Sequence, residues 1–170
     1  MDLDFFITRL TVQAESIAAL VRDLSDTQMR WHPSPGSWSL LEVINHLGDE
    51  ERDDFRLRLD LTLQRPHEVL PPIDPEGWVG QRSYRTRDPS ASIERFLDER
   101  QYSIGWLHTL SAPDWTLPCN HPRLTQLRAG DLLLAWVAHD LLHLRQIIEL
   151  NWQYHAAQAA PFGVAYAGSW

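Results

Sequence analysis

Apolar side chains recur along this chain at helical intervals in four long segments. In the first, from about Asp4 to Asp23, Phe6, Leu10, Ile17, Leu20 and Leu24 fall at helix-compatible steps, with no proline or glycine between them. A turn-rich stretch follows, His32-Pro33-Ser34-Pro35-Gly36-Ser37. The second segment opens on Ser39-Leu40-Leu41-Glu42, a capping box in which Ser39 and Glu42 satisfy each other's free backbone N–H groups. It is predicted to run to about Gln64, before Pro66. The proline-rich stretch Pro66 to Arg87 reads as a long irregular connection, and such connections are often functional.

Asp88 and Pro89 supply an N-cap and a first helical residue for the third segment. Ile93, Phe96, Leu97, Ile104 and Leu107 form its apolar stripe, and it stops before Pro113. A loop containing Pro118, Cys119 and Pro122 leads to the fourth, which starts between Thr125 and Asp131 and reaches about His155. Its centre, Leu132 to Ala138, is apolar on all sides, the pattern of a helix buried in a bundle. The tail, Ala156 to Trp170, is small and apolar without a period, and is expected to cap the bundle or pair with a second subunit. Nothing reads as a strand. The pattern predicts one all-α domain over residues 1–170, a four-helix bundle with two long connections.

Composition narrows what such a bundle can do. A 44% apolar fraction and eight tryptophans are enough for a core and argue against disorder. A net charge of −8, with no face rich in Lys and Arg, argues against nucleic acid as a partner. The longest apolar run, Leu132 to Ala138, is far too short to cross a membrane. Met1-Asp2-Leu3-Asp4 lacks the basic start of a secretory signal, and the single cysteine rules out an internal disulfide. The expectation is a cytoplasmic protein.

Candidate chemistry centres on His139-Asp140-Leu141-Leu142-His143. Residues four apart share a helix face, so two imidazoles can converge on one metal ion, and neutral ring nitrogens suit zinc, nickel or iron. Gln146, a turn after His143, can hydrogen-bond such a ligand. A HxxxH pair alone is weak evidence, because buried histidines are commonly just hydrogen-bonded. The second segment strengthens it. His46 lies one turn after Val43, on a stripe that continues through Glu50, Asp53 and Leu57, apolar at both ends and ionisable in the middle. Glu50 can ligate, orient a ligand or act as a base. Its run, Asp49-Glu50-Glu51, also has the look of a solvated acidic surface.

These residues lie in blocks that resemble the DinB/YfiT-like superfamily. Gly36-Ser37-Trp38-Ser39-Leu40-Leu41-Glu42-Val43-Ile44-Asn45-His46-Leu47 is similar to that family's tryptophan-to-histidine helix start. Asn120-His121-Pro122-Arg123-Leu124, Ala129-Gly130-Asp131-Leu132-Leu133, and the stretch from Ala138-His139-Asp140 through His143-Leu144-Arg145-Gln146-Ile147 complete the resemblance. The chain differs at Thr125-Gln126, where a glycine-containing turn is more usual. The resemblance implies an unusual four-helix bundle and a metal triad of His46, His139 and His143. It also implies a divalent ion as cofactor, frequent homodimers, and activities that include bacillithiol and mycothiol S-transfer.

The remaining candidates are weaker. His121 sits in a loop near the fourth segment, and Cys119 has no partner cysteine for redox chemistry. His32, His67 and His155 read as solvent-facing, and His108 as a cation near a helix end. Arg100 is inward by spacing and is expected to pair with a bundle carboxylate in preference to a substrate. Trp31, Trp38, Trp136 and Trp152 read as packing residues. Four readings stay open: a metal-dependent thiol S-transferase using a low-molecular-weight thiol on small electrophiles, a metal-dependent hydrolase, a non-catalytic metal or ligand binder, and a purely structural bundle whose histidines make ordinary hydrogen bonds.

Overall fold

Four helical rods pack side by side in the computed structural model, which describes residues 1–168. The first is α1, Leu3–Val21, opened by the Asp2 carboxylate accepting from the Phe5 N–H. A single turn that the sequence did not predict, α2 (Asp26–Met29), is capped by Ser25. The second rod starts at the predicted capping box, with Ser39 and Glu42 bonded to each other's backbone N–H. It is continuous to Gln64 but not uniform: α3, Leu40–Glu50, passes into a wide π turn, Glu51–Arg56, and resumes as α4, Leu57–Gln64. The third rod is α6, Pro89–Thr109, with Asp88 as N-cap. The fourth is α7, Ala129–Gln158.

The connection expected to be irregular holds α5, Pro75–Gln81, and a 3-10 turn, Tyr84–Thr86. It packs on α3 through Tyr84, whose hydroxyl donates to Asp49 at 2.6 Å. Among the described residues the only β pairing is an isolated bridge, Pro118 with Arg128. No helix there is long and apolar enough to cross a membrane.

The buried apolar residues fall into two clusters stacked along the bundle. One gathers Ile17, Leu41, Ile44, Phe96 and Ile147; the other gathers Leu10, Phe55, Leu59, Leu107 and Trp136. On three of the rods the residues between the clusters are ionisable: Asp49 to Asp54 on the second, Arg100 on α6, His139 to His143 on α7. The bundle thus carries a polar layer across its middle.

Two expectations need correction, and one lies outside what is described. α7 is not apolar on a buried circumference, because Leu134, Leu141 and Leu142 are more than half exposed. Its buried side is a single stripe, Leu133, Trp136, Val137, Asp140 and Ile147. The tail does not cap the bundle: Phe162 and Tyr166 stand in solvent. The expected dimer contact at Trp170 lies outside the described residues.

Candidate metal centre

His46 projects from the middle of α3 and is buried, since its helix is covered by α7 on this side. His139 and His143 project from α7 one turn apart. The three rings meet at their outer nitrogens. His143 Nε2 lies 3.1 Å from His46 Nε2 and 3.1 Å from His139 Nε2. All three can place a ligand atom within 4.8 Å of the others, and the group can hold a metal ion.

The hydrogen bonds around the rings fix which nitrogens are available. The Gln146 Oε1 atom accepts from His143 Nδ1 at 2.8 Å, so the neutral ring keeps its proton there and presents a bare Nε2 lone pair inward. His46 Nδ1 is buried without a hydrogen-bond partner, as is Glu50 Oε1, and the two are 3.8 Å apart. That is too long for a hydrogen bond but places a carboxyl behind the ring, where metal-binding histidines usually have one. Neighbouring nitrogens on a tetrahedral zinc, bound at about 2.0–2.1 Å, lie roughly 3.3 Å apart, so the observed spacing fits the donor set to one ion.

Burial, reinforced by the neighbouring imidazoles, pushes His46 down to about 2. Burial and His143 push His139 down to about 3, and burial also lowers His143. All three rings are therefore neutral near pH 7, the form that binds metal. The walls are aromatic. Trp38 meets His46 edge-on at 5.0 Å, and Phe55, stacked on Trp136, sits 5.1 Å from His139. Trp38 is thus a packing residue, as expected, and forms one wall of the site.

Glu50 is not the solvated acid that its run suggested. Asp49, Glu50 and Glu51 are all buried and face three different ways. Asp49 takes Tyr84, Arg82 and Arg95; Glu51 takes Arg100 and Trp136; Glu50 alone faces the histidines. Burial, with the Asp54 charge beside it, raises the Glu50 carboxyl to about 9. Asp54 is also raised by burial and pairs with Arg58. Sequence reasoning missed Asp54 and chose Asp53 for the stripe. The π turn is the reason: its extra residue per turn keeps Asp54 buried below Glu50, while Asp53 turns outward to Arg52 and Arg82.

The secondary candidates fall elsewhere. His121 spends its Nδ1 accepting from the Arg123 and Leu124 N–H groups, which shapes its loop. Cys119 is buried, accepts from Thr62 and has its pKa raised by burial, the opposite of a reactive thiolate. Arg100 pairs with Glu51 and Asp140, as its spacing suggested. His32 is not fully solvent-facing: it is half-buried and bonded to Glu42 at 2.8 Å.

Fold and site together define a helical bundle with a partly buried three-histidine group able to hold a metal. The chain belongs to the DinB superfamily, whose sequence profile matches residues 9–147. It is similar to the candidate metal-dependent hydrolase YfiT of Bacillus subtilis (strain 168), with 26% identity over 133 residues, 77% of this chain and 74% of that protein. A candidate metal-dependent hydrolase of Oceanobacillus iheyensis is 29% identical over 132 residues, 76% of this chain and 74% of the relative. The solved structure of YfiT, described as an unusual four-helix bundle, superposes with a TM-score of 0.77 at 23% identity, over 88% of this chain and 85% of that one.

Proposed function

We propose that His46, His139 and His143 hold one divalent cation and that the protein is a metal-dependent enzyme transferring a low-molecular-weight thiol to a small electrophile. The observation that carries this reading is the meeting of three neutral imidazoles at their Nε2 atoms. A cation there supplies Lewis acidity, which makes a thiol or water that binds it lose its proton more readily. Gln146 holds His143 in the tautomer the site needs. Trp38 and Phe55 exclude water from one side of the rings. Glu50, protonated and paired with Asp54, is placed to give up a proton beside the triad as the nucleophile reacts.

A second reading is hydrolysis, with water in place of the thiol. The names of the relatives from Bacillus subtilis and Oceanobacillus iheyensis favour it, and so does a carboxyl beside the triad. The test loads metal-free protein with zinc, nickel or iron and follows thiol consumption with a panel of electrophiles, alongside ester and amide hydrolysis. Metal-dependent thiol turnover supports transfer; hydrolysis without thiol turnover replaces it with the second reading; neither activity leaves a metal binder. Glu50→Gln is expected to lower turnover about 10²- to 10⁴-fold at unchanged metal content.

A further inference from the structure

On the side of α3 that faces α6 lies a cleft of about 350 Å³, lined by Arg52, Arg87, Asp88, Ala91, Ser92 and Arg95. Three of its six lining side chains are guanidinium groups and one is a carboxylate. Two of the three cations are only partly spoken for. Arg87 donates to the Arg82 carbonyl at 3.2 Å and to Asn45 Oδ1 at 2.9 Å, both neutral acceptors. Among the described residues no carboxylate lies within ion-pair distance of it. Arg95 reaches Asp49 at 2.6 Å and the Asn45 carbonyl at 3.0 Å, but its Nε is buried without a partner. Arg52 is turned to Asp53 at 2.8 Å and keeps nearly half its side chain exposed.

The two inner cations also work against each other. Burial and the Arg95 charge push Arg87 down, and the pull of Asp49 ranks behind that repulsion. Two like charges held together beside an open cleft are relieved by an anion that both can reach. The cleft floor is shaped for the arginines as well. A Cβ on Gly48 would lie 3.1 Å from Arg95 Nη2, so glycine leaves Arg95 its path across α3. The cleft opens beside the first turn of α6, where Ala91 and Ser92 line it. Asp88 at the rim accepts from the Ala91 N–H at 2.8 Å.

We propose that this cleft binds a phosphate-type oxyanion, gripped by Arg87 and Arg95 with Arg52 at its mouth. It is separate from the histidine site, because Asn45 and Asp49 face α6 while His46 and Glu50 face α7. The source is inorganic phosphate or the phosphoryl group of a small metabolite, and the volume leaves room for either.

Thermal unfolding is followed with inorganic phosphate, glycerol 3-phosphate, acetate and chloride at matched ionic strength. A phosphate species at about ten times its Kd is expected to raise Tm by about 3–6 °C, with chloride and acetate inactive. A larger shift with glycerol 3-phosphate assigns a phosphomonoester; equal shifts assign phosphate itself. Arg87→Gln is expected to weaken binding about tenfold or more. Ala91→Glu is the second variant. It puts a carboxylate into the cleft at the third residue of α6, where an acid suits the helix, and should abolish phosphate binding while leaving the fold intact. Shifts equal to those with chloride, or shifts that survive in both variants, overturn the site.

Discussion

Glu50 and Glu51 are neighbours in sequence, as are His139 and Asp140, yet each pair is split between two different polar clusters in the same layer of the bundle. Successive helical side chains point about 100° apart, which sends them to different neighbours. Glu51 and Asp140 converge on Arg100, whose Nε, Nη1 and Nη2 are all engaged, with the Leu10 carbonyl as a further acceptor. His46, His139, His143 and Glu50 converge and keep unpartnered atoms: a buried Nδ1 on His46 and a buried carboxyl oxygen on Glu50. One cluster brings its own opposite charge. The other brings three neutral bases and an acid that burial keeps protonated. The difference separates a polar group closed on its own countercharge from one that can hold a metal ion. Each cluster keeps a buried carboxyl oxygen without a hydrogen-bond partner, Glu51 Oε2 in one and Glu50 Oε1 in the other, so what tells them apart is the countercharge that Arg100 brings to the first.

The sharpest way to break this contrast is to remove one member of each cluster. His46→Ala should lose nearly all bound metal while the apo protein stays folded, because apolar packing holds the rods. His67→Ala, at an exposed position, should keep the metal. Elemental analysis after dialysis decides it, and full occupancy in His46→Ala would end the assignment. Arg100→Leu should cost about 3–5 kcal/mol in urea unfolding, because Glu51 and Asp140 then stay buried without a cation. A loss below about 1 kcal/mol would mean that the closed cluster contributes little.

A smaller effect is expected from Gln146→Ala. It removes the acceptor behind His143 and should lower metal affinity about 10- to 100-fold without unfolding the bundle. Competition with a metal-sensitive dye measures it. The smallest effect concerns Asp49, the third acid in the run. Burial raises its pKa, but the bonds from Tyr84, Arg95 and Arg82 outweigh burial and hold it below the usual carboxylate range. A depressed folded-state pKa gives stability that is present above the unfolded value of about 3.9 and lost as pH falls through the folded one. The stability gap between wild type and Asp49→Asn should therefore be widest above about pH 4 and close below it. A gap that is flat across that range would show that pairing does not keep this acid charged.

Helix starts were legible in the sequence because capping is local. Ser39 with Glu42, and Asp88 with Pro89, place two rods to the residue. His46, His139 and His143 were legible as a set because two lie a turn apart and the third falls mid-rod. What stayed hidden depended on distant partners. Nothing near Asp49-Glu50-Glu51 announces Arg95, Tyr84 or Arg100, so a buried run reads as a surface one. The exposed side of α7 was hidden for the converse reason. Leu134, Leu141 and Leu142 are apolar, and a one-dimensional pattern cannot show that no rod covers them within the chain. Asp54 was missed because a regular period was assumed across Glu51–Arg56.

That wide turn has a consequence for how the chain can change over generations. It acts as a phase coupling between two halves of one rod. Upstream, α3 indexes His46 against α7; downstream, α4 indexes Leu59 and Leu61 into the other apolar cluster. Deleting a single residue within Glu51–Arg56 would turn one half against the other by about 100°, so either the histidine or the leucines would lose their register. Insertions and deletions in the lineage should therefore be purged here more strictly than in the loops that flank the rod.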